Sequence, residues 1–305
     1  MKEAKVQRQV ESRVARAIEA GWGGSPVLLG VEQYASLFSI DAPGYRTLGA
    51  ELRDAELKLK QINPNLAGLY NQKLVIDLLK QFNPGRVGLK LPDAVLGLYS
   101  AEISRLGKEL DTRPVDYYCL DNDVFLKDLA VLAGRLIPVG AEFVVPDAGV
   151  PRSWCLKGVK GGCSAAWACL ACGGFSPYLE LHMHPGSVAM FNPQGWSETY
   201  INLGALLELN PGLRGVISSS WFLDPALGQI SPHLAYLHET SVQNGATLIF
   251  NCLDKSGDSG ALSKSDSRRR LFLAGKYVPA IYSRIWPRRK LIAYKKHLLN
   301  HGHVA

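Results

Sequence analysis

Apolar residues recur at helical spacing through the first third of the chain. Asn63-Pro64 and Asn83-Pro84 separate the periodic stretches, and Pro92 stands where the first turn of a helix tolerates proline. The spacing predicts four helices, at residues 3–20, 45–61, 65–82 and 92–110. Residues 1–113 are therefore predicted to form a helical N-terminal region.

After Pro114 the pattern changes to short strands that alternate with helices. The predicted elements are strand Tyr117–Leu120, helix Asp123–Ala133, strand Leu136–Val145 with an interruption at residues 138–140, helix 163–172, strand Tyr178–His184, helix Ser197–Leu209, strand Leu213–Ser220, helix Ser231–His238 with Ser231 as its N-cap, strand Ala246–Asn251, helix Asp266–Ala274, strand Tyr277–Trp286 and a C-terminal helix. This alternation is typical of crossover connections. The fold class predicted for residues 114–305 is a mixed α/β sheet with crossover helices.

The composition is that of a globular protein. Of the 305 residues 47% are apolar and 20% are charged, and no apolar run reaches the roughly 18 residues that a membrane-spanning helix needs. Near the N-terminus, basic residues are interleaved with Glu3, Glu11 and Glu19, which is typical of an amphipathic helix rather than of a signal peptide. We therefore expect a cytoplasmic protein without a transmembrane segment.

Positive charge is concentrated at the C-terminus. The chain carries a net charge of +7. From Lys264 onward it contains eleven lysines and arginines and one acidic residue, Asp266. Such a segment favours phosphate-bearing partners such as a cofactor pyrophosphate, a nucleic acid or an anionic membrane surface. Its aromatic residues alternate with apolar ones as they do in a packed strand, which argues against nucleic-acid binding.

Titratable chemistry is concentrated in the predicted strand Tyr178–His184. Apolar residues alternate there with Glu180, His182 and His184, so that the three ionisable side chains are predicted to share one face of the strand, about 6.6 Å apart. Histidine accepts a proton near neutral pH, and a carboxylate can orient and stabilise the imidazolium. The pattern predicts a proton relay or a shared metal or substrate site.

Two further groups of polar residues are expected at the same edge of the sheet. Ligands of open α/β sheets bind at the carboxyl ends of the strands, and a helix that opens there offers unpaired N–H groups to an anion. The candidate residues are Ser219 at the end of one strand, Asp224 just beyond it, and Asn192, Gln194 and Gly195 at the start of a helix. Hydroxyl and N–H donors beside a histidine base fit acyl transfer from a thioester to an amine or hydroxyl.

The order of elements between residues 178 and 251 resembles that of the GNAT-type acyltransferase superfamily. In that superfamily a pyrophosphate-binding turn follows the central strand, and the matching segment here is Phe191–Gly195, which departs from the usual R/Q-x-x-G-x-G/A pattern. The resemblance implies an acyl-CoA or acyl-carrier thioester as donor and a small-molecule or acyl substrate. The segments Ser219–Pro225 and Ile230–Tyr236 also resemble segments of bacterial proteins, with no function implied.

Two other readings stay open. In the first, His182 and His184 bind zinc or iron, with Glu180, Asp224 or a cysteine as a third ligand; Cys169 and Cys172, in a C-x-x-C pattern, offer a Cys2His2 zinc site with the same histidines. In the second, the protein is not an enzyme, and basic residues such as Arg268, Arg269 and Arg270 bind an anionic partner. No Walker, G-x-S-x-G or H-E-x-x-H motif is present.

Overall fold

The computed structural model describes residues 44–110, 112–156 and 158–301, so the helix predicted at residues 3–20 lies outside the described part. The chain divides into two compact units. Unit one comprises Met1–Val139, Phe143–Val145 and His184–Gly186, and unit two comprises Gly140–Glu142, Pro146–Met183 and Ser187–Ala305. The domain boundary predicted at residue 113 falls inside unit one and stays a prediction.

Unit one is mainly helical where it is described. Its helices are α1 (Ala50–Ile62), α2 (Pro64–Lys80), α3 (Asp93–Glu109) and α4 (Asp123–Leu132), which confirms the helical periodicity of this region. Asn63 and Asn122 cap α2 and α4, each accepting a backbone N–H with its side chain. The predicted strand Tyr117–Leu120 is wrong. Val115–Tyr117 forms a 3₁₀ turn, and Tyr118 and Cys119 donate their N–H groups within the same turn instead of to a neighbouring strand.

The strands form one mixed sheet. They are β1 (Ile137–Pro138), β2 (Phe143–Ala148), β3 (Tyr178–His182), β4 (Gly215–Ser220), β5 (Thr247–Leu253) and β6 (Ala280–Pro287), and their order across the sheet is β1-β2-β3-β4-β6-β5. Strands β3 and β4 are parallel, and β6 pairs antiparallel with both β4 and β5. The mixed α/β sheet predicted from the sequence is thus confirmed.

The helices of unit two are α5 (Gly158–Ala171), α6 (Pro193–Leu209), α7 (Leu227–Ile230), α8 (Tyr236–Gln243), α9 (Gly260–Ser263), α10 (Asp266–Leu273) and α11 (Arg288–His301). One prediction is wrong here: no continuous helix runs from Ser231 to His238. The short α7 and a 3₁₀ turn at Pro232–Leu234 precede α8. Ser231 does not cap a helix, because its hydroxyl accepts a hydrogen bond from Arg268 at 3.0 Å.

The two faces of the sheet in unit two are covered differently. On one face Ile217, Ile249 and Ile285 form an apolar cluster that includes Ala165, Ala168 and Cys169 of α5. On the other face aromatic rings pack against each other: Tyr200 of α6 contacts Trp286 of β6 and Tyr294 of α11 edge to face. None of the described helices is long and apolar enough to cross a membrane.

Candidate functional site

Glu180 and His182 are neighbours on β3. The strand sends both side chains to one face, and Nε2 of His182 lies 3.7 Å from Oε2 of Glu180. About a quarter of the His182 side chain and 38% of the Glu180 side chain are exposed. The carboxylate is therefore placed to stabilise a positive charge on the imidazole, and both groups are open to solvent.

Strand β3 ends earlier than the sequence predicts, and this separates His184 from the pair. The last residue of β3 is His182, and Pro185 opens a 3₁₀ turn that runs to Met190. His184 belongs to unit one, where only 1% of its side chain is exposed. Its Nε2 lies 3.1 Å from Oδ1 of Asp128, and its Nδ1 accepts the N–H of Gly186. The prediction that all three ionisable groups share one strand face is wrong, because the strand stops before His184.

Ser219 lies on the next strand and belongs to a hydroxyl cluster that the sequence did not reveal. Its Oγ is 2.5 Å from Oγ of Ser283 on β6, and Asn251 on β5 donates its side-chain N–H to the Ser219 oxygen at 2.9 Å. Asn251 also donates to the Ser283 hydroxyl. The partners come from three strands that are distant in the sequence, so only the pairing of β4 with β6 and of β6 with β5 could have identified them.

The parallel register relates Ser219 to His182. Leu179 pairs with Val216 and Glu180 with Ile217, and the register ends there although β3 continues to His182 and β4 to Ser220. Partners in a parallel ladder face the same side of the sheet, so two residues further on His182 and Ser219 occupy the same face. The carboxyl ends of these two strands are where an open α/β sheet binds its ligands.

Asn192, Gln194 and Gly195 form the opening of α6. Asn192 caps the helix, since its side-chain oxygen accepts the N–H of Gly195 at 2.9 Å. A Cβ at Gly195 would lie 2.1 Å from the Met190 carbonyl oxygen, so only glycine fits this position. The Gln194 side chain contacts Glu198 at 3.3 Å. Pro193 has no N–H, and the Gly195 N–H already donates to Asn192. The Gln194 N–H is therefore the first backbone donor that an anion at this helix end could use.

A groove of about 480 Å³ begins beside this turn. It runs between α6, α8 and α11, and much of its wall is aromatic, with Trp196, Tyr200, Tyr236, Tyr294 and His297 among the lining residues. Rings of this kind stack on planar groups. The groove and the first turn of α6 share Pro193, so a ligand with a phosphate and a planar ring could contact both.

Asp224 is buried and ties two parts of unit two together. One of its carboxylate oxygens accepts the N–H of Ala226 at 3.0 Å, and the other accepts from the Ala280 N–H at 3.3 Å and from the Tyr277 hydroxyl at 3.5 Å. These contacts hold the turn after β4 against the start of β6. They are the contacts of a turn-stabilising carboxylate.

The described residues do not group His182 or His184 with two further metal ligands. The group of three ligand atoms within 4.8 Å of one another is formed by Glu56, Cys119 and Asp121 in unit one, and the Lys60 ammonium already lies 2.5 Å from the Glu56 carboxylate. Cys169 of α5 lies in the apolar cluster between this helix and the sheet, where burial raises the pKa of its thiol to about 11.

Only some of the basic side chains in the C-terminal segment are exposed at the surface. Arg268 is buried and donates hydrogen bonds to Ala261 and Ser231, whereas Arg269 and Arg270 are exposed on α10. Arg284 is fully buried as well. The predicted anionic-partner surface therefore lacks two of the arginines on which its charge was counted.

Comparisons with known proteins place this chain near no established family. No protein-family model matches it, and no curated protein matches it. Among solved structures it is similar to one described as an acyltransferase in complex with decanoyl-CoA, at 14% sequence identity, over 94% of this chain and 100% of the other, with a TM-score of 0.39. A likeness this distant assigns neither a fold nor an activity to the chain.

Proposed function

We propose that this protein transfers an acyl group from a phosphate-bearing thioester, an acyl-CoA or an acyl-carrier thioester, to an amine or hydroxyl group. The observation that carries the proposal is the convergence at the carboxyl ends of β3 and β4. There the Glu180–His182 pair and the exposed Ser219 lie on one face of the sheet, where the parallel register has ended. Helix α6, which begins at Pro193, connects β3 to β4 in the chain.

His182 is the general base in this proposal. It takes the proton from the amine or hydroxyl of the acceptor as the nucleophile attacks the thioester carbonyl. The new C–N or C–O bond forms, the C–S bond breaks, and the proton is returned to the departing thiolate. Glu180, 3.7 Å from the imidazole, stabilises the imidazolium between these two transfers.

Ser219 is the proposed donor to the oxyanion that develops on the thioester carbonyl. It accepts a hydrogen bond from Asn251 and shares a short contact with Ser283. When Ser283 donates in that contact, the Ser219 O–H is directed away from it and can donate to substrate. This hydroxyl is held in place by two neighbours before the reaction, so orienting it in the transition state costs little.

The phosphates of the donor are proposed to bind at the first turn of α6. The Gln194 N–H and the positive end of the helix dipole favour an anion there. Asn192 fixes the turn by capping the Gly195 N–H. A heterocycle attached to the phosphates has the aromatic groove next to Pro193 available to it. His184 and Asp224 have no role in this proposal, because both are occupied by structural contacts.

Thioester consumption by the full-length protein tests the proposal. A panel of acyl-CoAs and acyl-carrier thioesters is offered with amine and hydroxyl acceptors, and the acylated product is measured by mass spectrometry. Replacing His182 by alanine is expected to lower the rate roughly 100-fold or more, and His233→Ala, which changes an exposed histidine of a 3₁₀ turn, should leave the rate unchanged. A fully active His182→Ala/His184→Ala double variant, or no binding and no consumption of any thioester, contradicts the proposal.

A further inference from the structure

Arg284 is buried in the middle of the sheet of unit two. It stands on β6 opposite Ser218 of β4, and both side chains point to the face that α6 covers. The guanidinium carbon lies 5.9 Å from the ring centre of Trp196 and 5.8 Å from that of Trp286. None of its surface is exposed. The Arg284 charge therefore lies among buried aromatic rings. It does not contribute to the basic surface that the sequence predicts for the C-terminal segment.

The guanidinium has no hydrogen-bond acceptor among the described residues. Its Nε, Nη1 and Nη2 atoms all lack a partner. The surrounding polar atoms are in the same state: the Trp196 indole nitrogen, the Tyr200 hydroxyl and the Ser218 hydroxyl are buried and unpartnered. Guanidinium and indole nitrogens can only donate, and a hydroxyl can donate as well. The group is thus a set of donors around one positive charge.

Arg268 shows how this chain satisfies a buried arginine elsewhere. Its guanidinium carbon lies 5.0 Å from the ring centre of Trp221, so it too rests on an aromatic face. It also donates hydrogen bonds to the Ala261 carbonyl and to the Ser231 hydroxyl. Stacking and hydrogen bonds occur together there, whereas Arg284 has stacking alone.

An arginine in this state is unfavourable unless something supplies the missing acceptors. The guanidinium does not lose its proton in proteins, and a buried charge without hydrogen bonds is costly to keep. Cation–π contacts offset only part of that cost. A negatively charged group with several oxygens would accept from the arginine, the indole and the two hydroxyls at once.

Glu142 is the buried carboxylate whose charge is felt in this region. Burial raises the pKa of Tyr200, the neighbouring Arg284 guanidinium lowers it through its charge and a side-chain contact, and the Glu142 charge raises it. Glu142 is not a free carboxylate, because it takes part in an interaction within the protein. It reduces the local positive charge without making a hydrogen bond to Arg284.

We propose that Arg284, together with the Trp196 indole N–H and the Tyr200 and Ser218 hydroxyls, forms an internal binding site for a small anion, a carboxylate or a phosphate-type oxyanion. The site is on the α6 face of the sheet, opposite the face that carries Glu180 and His182, and it does not depend on the proposed acyl transfer. Trp196 and Tyr200 also line the groove between α6, α8 and α11.

Thermal unfolding of the full-length protein tests the site, with sodium phosphate, sodium acetate and sodium chloride at equal ionic strength. The wild type is expected to gain stability in a saturable way with phosphate or acetate and not with chloride, and the two arms separate an oxyanion site from a carboxylate site. General salting effects of phosphate are not saturable and are shared by all variants. A wild type that responds equally to the three salts overturns the proposal.

Arg284→Met and Arg268→Met form a matched pair. Arg284→Met is expected to abolish the anion response without lowering the melting temperature in chloride, because it removes an unpaired buried charge. Arg268→Met is expected to lower that temperature, because the Ala261 carbonyl and the Ser231 hydroxyl lose their donor, and to keep the anion response. An anion response that survives in Arg284→Met contradicts the site.

Two smaller changes cover the case in which Arg284→Met does not fold. Tyr200→Phe and Ser218→Ala each remove one hydroxyl, and each should weaken phosphate or acetate binding roughly tenfold, measured by calorimetry. Glu142→Gln removes the competing negative charge and should strengthen binding. Unchanged affinity in both hydroxyl variants would refute the site. A large loss of stability in Glu142→Gln, together with no anion response in the wild type, would also refute the site. Glu142 would then be the partner of Arg284.

Discussion

The Nε2 atom of His184 lies 3.1 Å from the Asp128 carboxylate, and the opposite ring nitrogen accepts the Gly186 N–H. Because Nδ1 is an acceptor, the ring proton is assigned to Nε2. That N–H donates a hydrogen bond to the Asp128 carboxylate. Arg105 and Tyr117 donate to the same carboxylate, at 2.6 Å and 2.5 Å. His184, one of the two histidines that the sequence offers as a base, is thus a fixed part of a buried network in unit one.

Neutralising Asp128 should destabilise unit one strongly. Asp128→Asn removes the charge that Arg105, Tyr117 and His184 share, and it is expected to lower the free energy of unfolding by about 2–4 kcal/mol. The matched control is Asp121→Asn, which changes a carboxylate whose side chain is 78% exposed; exposed pairs contribute about 0–1 kcal/mol. Urea unfolding of the two variants measures the difference, and equal losses would contradict the importance of the buried network.

The same carboxylate should govern part of the acid denaturation. Burial by itself raises the pKa of Asp128, but the hydrogen bonds from His184 and Tyr117 and the charge of Arg105 outweigh it, so the pKa lies below its ordinary value in the folded protein. Its contribution to stability is therefore complete above about pH 4, the unfolded-state pKa, and is lost as the pH falls through the lower folded-state pKa. Unfolding free energies between pH 6 and pH 3 should fall more steeply for the wild type than for Asp128→Asn; parallel curves would be the contrary result.

Gly195 should tolerate no side chain. An added Cβ would stand 2.1 Å from the Met190 carbonyl oxygen, which is backbone and cannot give way by rotating. Gly195→Ala is expected to destabilise the protein by about 1–3 kcal/mol and to displace the first turn of α6. Gly97→Ala in α3 meets no atom within 4 Å, and it should stabilise the protein by up to about 1 kcal/mol. Both values come from chemical denaturation; a neutral Gly195→Ala would show that the turn can rearrange.

The six cysteines should differ in their reactivity toward an alkylating reagent. Cys163 and Cys252 are exposed thiols, whereas Cys169 is buried and burial raises its pKa to about 11. Only the thiolate reacts, so at pH 8 the two exposed residues should be labelled first and Cys169 last. Peptide mass spectrometry over a time course gives the order. Early labelling of Cys169 would mean that its helix opens readily.

Periodicity and local capping determined most of the individual elements. The alternation in Tyr178–His182 and the apolar spacing of residues 197–209 are local patterns, and both give the predicted type of element. Asn122 and Asn63 cap the helices that follow them for the same reason, since a cap needs only the next few N–H groups. Pro185 also carries a local signal: it starts a 3₁₀ turn and ends the strand two residues before the prediction does.

The tertiary structure alone decided which of these elements meet. Strand β6 lies between β4 and β5, so Ser283 and Asn251 reach Ser219 although both are more than thirty residues away in the sequence. His184 is paired with Asp128 and Arg284 is buried among tryptophans for the same kind of reason. Periodicity states which side of an element is apolar, but the partner of a side chain depends on long-range strand order and helix packing, which no short stretch of sequence contains.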